Sequence, residues 1–254
     1  MIYLKSNADI AIMRNNGKIL IEVFRRLKSI IAAGVTTKDI DTEVESIIYS
    51  HSAVPSFKGY RGFPAAACVS LNDEVEHGIP RGDVLIRDGD IVSVDVGAFR
   101  DGFHVDAART FAAGLISAEA ERLIAVTRES FFKGAEQARV GNRVSDISVA
   151  IQSHIEGAGF GVIRDLVGHG IGRSLHEDPG VPNFGFPGKG PKLRAGMVLA
   201  VEPMAAQGDF KIVTKSDGWT AVTKDGTLSA HYENTLAVTD SGPLILTLED
   251  GDIY

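Results

Sequence analysis

Asp95 and Asp106 are the residues whose types and spacing first ask for chemistry. They sit in two β-branched, aromatic-rich runs, residues 90–97 (Asp-Ile-Val-Ser-Val-Asp-Val-Gly) and 103–111 (Phe-His-Val-Asp-Ala-Ala-Arg-Thr-Phe), joined through Ala98-Phe99-Arg100-Asp101-Gly102. The Asp-Gly pair predicts a hairpin turn. A hairpin centred between Arg100 and Asp101 sets Asp95 opposite Asp106, Gly97 opposite His104 and Ser93 opposite Ala108. Like charges facing each other destabilise a sheet, and burial makes them worse. A cation between the carboxylates, or a proton on one of them, relieves the repulsion; a divalent metal is the economical answer.

Two further acids stand in strand contexts. Glu202 lies in Val201-Glu202-Pro203, where proline ends ladder donation. Glu233 lies in His231-Tyr232-Glu233-Asn234-Thr235, ahead of Leu236-Ala237-Val238, where a lone buried acid is costly. Each acid alone reads as a solvated strand residue or an ion pair, but four together weaken that reading. Gly168-His169-Gly170-Ile171-Gly172 sets an imidazole among glycines, which permit close backbone approach to a metal or substrate; an exposed turn fits equally. No lysine follows at a phosphate-loop position and the dinucleotide glycine spacing is absent, which disfavours nucleotide binding. His77 in Glu76-His77-Gly78-Ile79-Pro80 and His176 in Leu175-His176-Glu177-Asp178-Pro179 stand in loop contexts. Each suits a hydrogen bond to substrate, a general acid or an ordinary polar loop. His51, His104, His154 and His231 read as ordinary side chains, and Cys68, in an apolar run, as a small hydrophobe.

The elements that must position these residues follow from periodicity. Ser6-Asn7-Ala8-Asp9 forms a capping box before Ile10, Met13, Leu20, Ile21, Phe24 and Leu27 at helical spacing. Thr37 is the expected cap of a second helix through Ile40, Val44, Ile47 and Ile48, with strands at about 65–71, 90–97 and 103–111. The second part repeats the order: Ser117 and Ser145 open helices, and strands return at about 196–203 and 228–239. One offset, 107 residues, maps Gly34 on Gly141, Asp39-Ile40 on Asp146-Ile147 and Gly89 to Asp95 on Gly196 to Glu202. That predicts one domain over residues 1–254 built of two halves, about 1–112 and 113–254, with Glu202 in the role of Asp95.

Composition bounds the function. The 254 residues, 44% hydrophobic, are ample for a large core, and a net charge of -7 argues against sequence-wide attraction to nucleic acid or anionic membrane. No apolar run reaches membrane-spanning length and no targeting segment is expected. A single cysteine cannot form an internal disulfide, which fits a reducing cytosol.

Together, Asp95, Asp106, the Gly168–Gly172 segment, His176-Glu177-Asp178-Pro179, Val201-Glu202-Pro203 and Tyr232-Glu233 resemble the ordered motifs of the bacterial type I methionine aminopeptidases over nearly the whole chain. The resemblance implies the pita-bread fold, an α/β (α+β) architecture with a curved, mainly antiparallel sheet and outer helices, which agrees with the internal repeat. It implies two divalent metals (Mn, Fe(II), Co or Zn) held by Asp95, Asp106, His169, Glu202 and Glu233, with Asp106 and Glu233 bridging. The implied reaction is removal of the N-terminal methionine from peptides and nascent proteins by a hydroxide held on the metals. Glu202 would shuttle the proton, while His77 and His176 would bind the scissile amide and the oxyanion. Tyr60, Phe63, Cys68, Leu175 and Trp219 would wall the side-chain pocket. Gly97 stands where the family usually carries threonine, Leu175 where it carries phenylalanine, and Phe57 where cysteine is frequent. The expected setting is a cytoplasmic monomer with the ribosome as a further partner, and the charge and the apolar runs lead to no expectation of nucleic-acid or membrane partners. An Xaa-Pro or broader aminopeptidase and a peptide-binding pseudo-enzyme are the alternatives.

Overall fold

The computed structural model describes residues 1–249. Its first elements are helices α1 (Asn7–Ile30) and α2 (Thr37–Ser50) and strands β1 (Val54–Pro55), β2 (Ala67–Leu71), β3 (Glu74–Glu76), β4 (Ile91–Arg100) and β5 (Phe103–Ala112). Helices α3 (Ala118–Glu136) and α4 (Val144–Gly157) follow, then β6 (Gly161–Val162), β7 (Gly168–Gly170), β8 (Glu177–Val181), β9 (Val198–Val201) and β10 (Met204–Ala206). The remaining strands are β11 (Ile212–Thr214), β12 (Ala221–Thr223), β13 (Ser229–His231), β14 (Asn234–Thr239) and β15 (Gly242–Ile245).

Each helix buries one stripe. In α1, Ile10, Met13, Leu20, Phe24 and Leu27 turn inward, and Ser6 caps its first turn by accepting from the Asp9 N–H. Its buried Asn16 donates to the Arg100 and Phe103 carbonyls, 2.7 and 3.1 Å away, so the helix grips the base of the β4–β5 turn. The cap of α2 is Thr36, one residue before the expected Thr37; its hydroxyl accepts from the Asp39 N–H at 3.0 Å. The last helix likewise starts earlier than Ser145 suggests. Arg143 takes the N-cap position because Asp146 accepts from the Arg143 backbone N–H at 2.7 Å, while the Ser145 hydroxyl donates to the Lys189 carbonyl.

The two-residue turn Asp101-Gly102, with φ of 52° and 82°, closes β4 on β5. Positive φ at both positions matches strand twist, so this short turn prevails over the longer connection expected from sequence. The register consequently moves by two residues: Asp95 lies opposite Ala108, Gly97 opposite Asp106 and Ser93 opposite Thr110. Asp95 and Asp106 are therefore diagonal neighbours, still on one face, rather than directly opposed.

All strand pairs are antiparallel. Around β4 pack β1, β2 and β5, and a second sheet runs β15-β14-β9-β7-β8. The Ala108 N–H donates to the Glu233 carbonyl and the Glu233 N–H to the Ala108 carbonyl, tying the two sheets together at the acids. The expected strand 228–239 breaks at Tyr232-Glu233, and the strand expected at 196–203 ends at Val201, so Glu202 and Glu233 both occupy interruptions. Helix α2 and helix α4 are both 14 residues long. Gly34 (φ 92°) donates to the Ile86 carbonyl as Gly141 (φ 96°) does to the Leu193 carbonyl, and the bridges Thr36–Leu85 and Arg143–Lys192 keep the same sequence offset. One apolar cluster lies between α1, α2 and the β4 sheet, another between α3, α4 and the β9–β14 strands.

Candidate active site

Four carboxylates meet where the sheets join. Asp95 comes from β4, Asp106 from β5, Glu202 from the end of β9 and Glu233 from the link into β14, and all four are buried. Asp106, Glu233 and His169 each place one donor atom within 4.8 Å of the others. Among the described residues Asp95 Oδ1, Asp106 Oδ1 and Glu233 Oε1 are buried with no hydrogen-bond partner, an arrangement native interiors avoid unless something else satisfies them. Burial raises all four carboxyl pKa values. Asp106 is pushed up to about 8, and Asp95, Glu202 and Glu233 go well above the carboxylate range as their neighbours' charges add to the burial. A divalent cation fits this set, because it replaces the missing donors and favours the ionised carboxylates.

The backbone around the acids is fixed from outside. Thr235 Oγ1 accepts from the Asp106 N–H at 2.9 Å and donates to the Asp106 carbonyl at 2.8 Å. Buried Arg109 donates to the carbonyls of Ala108 and Glu233 and to Asn234 Oδ1, the last at 2.7 Å, with its guanidinium over the Tyr232 ring at 4.3 Å. His169 Nδ1 lies 2.9 Å from the Gly170 carbonyl, leaving Nε2 toward Glu202 Oε1 at 3.7 Å. Burial lowers the His169 pKa, as a neutral ligand nitrogen requires. The flanking glycines have a steric reason: a Cβ on Gly168 would run into the Ala200 carbonyl oxygen, and one on Gly170 into that of Asp178.

A cavity of about 170 Å³ opens from the acids, lined by His77, His176, Tyr60, Phe63, Cys68, Leu175 and Trp219 with Phe57 beside them. An engineered cavity of about 150 Å³ accepts benzene, so this one suits a single side chain. His176 stacks on Tyr60 (5.2 Å between centroids, 16° between planes) and lies 4.1 Å from the His169 ring. Burial, then the neighbouring His169, lowers its pKa to about 3, so its imidazole is neutral near pH 7. His77 meets Trp219 edge-on at 6.3 Å and holds φ +59°, a left-handed conformation rare for a non-glycine residue and concentrated at functional sites. Gly97 has a local cause: a Cβ there would lie 2.7 Å from Ser56 Cβ and 2.8 Å from Phe57 Cε1.

Every residue singled out from sequence for the metal, the chemistry or the pocket thus lines one cavity. Sequence reasoning missed Glu76, Arg61, Leu166 and Val167 on the same wall. Glu76 gave one usable signal, an acid following buried Val75 and adjoining His77. The ordinary reading of His231 also needs correction: it is buried beside Glu76 and Glu202, and burial lowers its pKa to about 4. His104 keeps its ordinary reading, with its Nδ1 2.9 Å from Ser56 Oγ.

Known proteins match this arrangement of fold and site. The model of metallopeptidase family M24 matches residues 11–240. A methionine aminopeptidase of Clostridium perfringens is 58% identical over 98% of this chain and 99% of its own. The solved structure of methionine aminopeptidase from Thermotoga maritima superposes with a TM-score of 0.96 at 46% identity, covering 98% of this chain and 100% of that one. A prolidase structure from Pyrococcus horikoshii has a TM-score of 0.79 at 22% identity, covering 97% of this chain and 64% of that one, a likeness of the pita-bread fold alone. With buried carboxylates, a full-length match and a common fold in agreement, the chain belongs to metallopeptidase family M24 and, within it, to the methionine aminopeptidases.

Proposed function

We propose that Asp95, Asp106, His169, Glu202 and Glu233 would hold two divalent ions in an enzyme that removes the N-terminal methionine of peptides and nascent proteins. The observation that carries this reading is the set of buried carboxylate oxygens on Asp95, Asp106 and Glu233 that lack a hydrogen-bond donor among the described residues. Imidazole and carboxylate donors without thiolate suit Mn, Fe(II), Co or Zn. When bound, such a pair of ions lowers the pKa of water and polarises a carbonyl.

The protein groups supply the rest. Glu202 takes the proton of the attacking water and returns it to the leaving nitrogen, a role suited to a carboxylate whose proton affinity is raised by burial and by Glu76. Neutral His176 donates a hydrogen bond to the oxyanion, and its Tyr60 stack holds the ring in place. His77 donates to the scissile amide from a backbone conformation that fixes its direction. The peptide's free amine lies beside Asp95, and its first side chain enters the pocket of Tyr60, Phe63, Cys68, Leu175 and Trp219.

We further read residues 1–254 as one catalytic domain of two related halves, about 1–112 and 113–254, supported by the shared offset of the Gly34 and Gly141 contacts. The expected setting is cytosolic, as a monomer near the ribosome, which the free thiol of Cys68 fits. A peptide panel tests the substrate assignment: with metal added, Met-Ala-Ser should be cleaved at least ~10-fold faster than Leu-Ala-Ser, since ~10-fold corresponds to about 1.4 kcal/mol of pocket discrimination. Equal rates, or preferred cleavage of Ala-Pro-Ala, would contradict it.

A further inference from the structure

A second group of metal-ligating side chains adjoins the first. Glu76 and Glu202 each offer a carboxylate oxygen, and His231 a ring nitrogen, all within 4.8 Å of one another and all buried. They come from three places in the fold: the end of β3, the residue after β9 and the end of β13. The backbone of His231 is pinned by Thr110, whose Oγ1 accepts from the His231 N–H and donates to its carbonyl, both at 2.9 Å. Its side chain is not satisfied in the same way, because Nε2 is buried without a hydrogen-bond partner among the described residues. Glu76 pairs with His77 Nε2 at 3.6 Å, beyond hydrogen-bond length. A buried imidazole with an idle nitrogen beside two carboxylates is a costly arrangement unless a cation joins them.

Charge points the same way. Four carboxylates offset two divalent ions, and Glu76 is a fifth that this balance leaves over. We infer that Glu76, His231 and Glu202 form an additional cation site for a first-row divalent ion, adjoining the proposed pair and sharing Glu202 with it. Two carboxylates and an imidazole are suitable donors for Mn, Fe(II), Co or Zn, and leave coordination positions for water. The inference rests on the reading of Glu202 as a metal ligand, while Glu76 and His231 lie outside that set.

The test uses the full chain, stripped with a chelator and reloaded with Mn²⁺, as wild type, His231→Gln and Glu76→Gln. Anomalous diffraction at the manganese edge should place ions among Asp95, Asp106, His169 and Glu233 and a further ion among Glu76, Glu202 and His231. Either substitution should remove only the further ion, and equilibrium dialysis should show about one Mn²⁺ fewer per chain. Two conservative variants at different positions guard against one failing to fold, with circular dichroism as the check. No density among Glu76, Glu202 and His231 at saturating Mn²⁺, or a peak of undiminished occupancy in both variants, overturns the inference. Missing ions at Asp95 and Asp106 would instead overturn the two-ion proposal, a separate outcome read from the same maps.

Discussion

Asp95, Asp106, Glu202 and Glu233 share one property, burial as carboxylates, and on Asp95, Asp106 and Glu233 an oxygen has no hydrogen-bond donor among the described residues; the proposed chemistry follows from it. At this scale the roles divide. Glu202→Ala and His77→Ala should each lower turnover of Met-Ala-Ser by ~10²-fold or more, a size typical of lost acid-base or oxyanion assistance. Steady-state kinetics with full metal loading checks this; near wild-type rates would remove both residues from the mechanism. Gly97→Thr forces Ser56 and Phe57 to move, because even a Cβ would stand 2.7 and 2.8 Å from their atoms. That variant should lose about 1–3 kcal/mol, the usual cost of overpacking, read from its urea midpoint. That Asp95 and Asp106 share one sheet face was legible from strand alternation, since a shift of two residues keeps both on the same side, whereas their direct opposition was not borne out. Glu76 was less legible: it adjoins Val75 and His77, but that local signal does not tell that β3 pairs with β12 and that the last acid turns inward.

At the scale of elements, caps and turns set where the site residues point. The hydroxyl of Thr36 and the carboxylate of Asp39 satisfy each other's backbone N–H groups at 3.0 and 2.9 Å. Thr36→Ala should therefore cost about 1 kcal/mol without changing the active-site residues, seen as a lower urea midpoint with unchanged KM. Helix positions were readable because capping and apolar spacing are local signals. The helix starts still moved by one or two residues, since Thr37 and Ser145 spend their hydroxyls on the carbonyls of Arg81 and Lys189. The breaks in the strands at Glu202 and Glu233 were less legible, as they depend on ties between sheets. Arg109 makes the clearest of these, reaching the Glu233 carbonyl and Asn234 from β5. Replacing it with methionine removes a charged donor from both acceptors, leaving the Glu233 carbonyl to the Ala108 N–H and Asn234 Oδ1 to the Thr247 hydroxyl; it should lower stability by about 1.5–3 kcal/mol and weaken metal retention through the displaced Glu233.

Over the whole molecule, two sheets meeting at the Ala108–Glu233 ladder concentrate negative charge at the place where the halves join. Folding must bear that concentration, so stability and metal binding are coupled. The sign follows from the raised pKa values. Metal-free, folded Asp106 holds its proton to about pH 8 against an ordinary 3.8, so between those values the folded state binds more protons than the unfolded chain. Stability present below the ordinary carboxylate range is then lost as pH rises toward 8, and Asp95, Glu202 and Glu233 shift in the same direction. Urea unfolding of stripped protein should show this fall between about pH 4 and 8, and metal-loaded protein should resist it because the ions keep the carboxylates ionised. The most direct test of the central claim is hydrolysis of Met-Ala-Ser after thorough chelation and again after Mn²⁺, Fe²⁺, Co²⁺ or Zn²⁺ is returned. Activity should vanish on chelation and recover with at least one of these ions; activity that survives complete removal of metal would contradict the account.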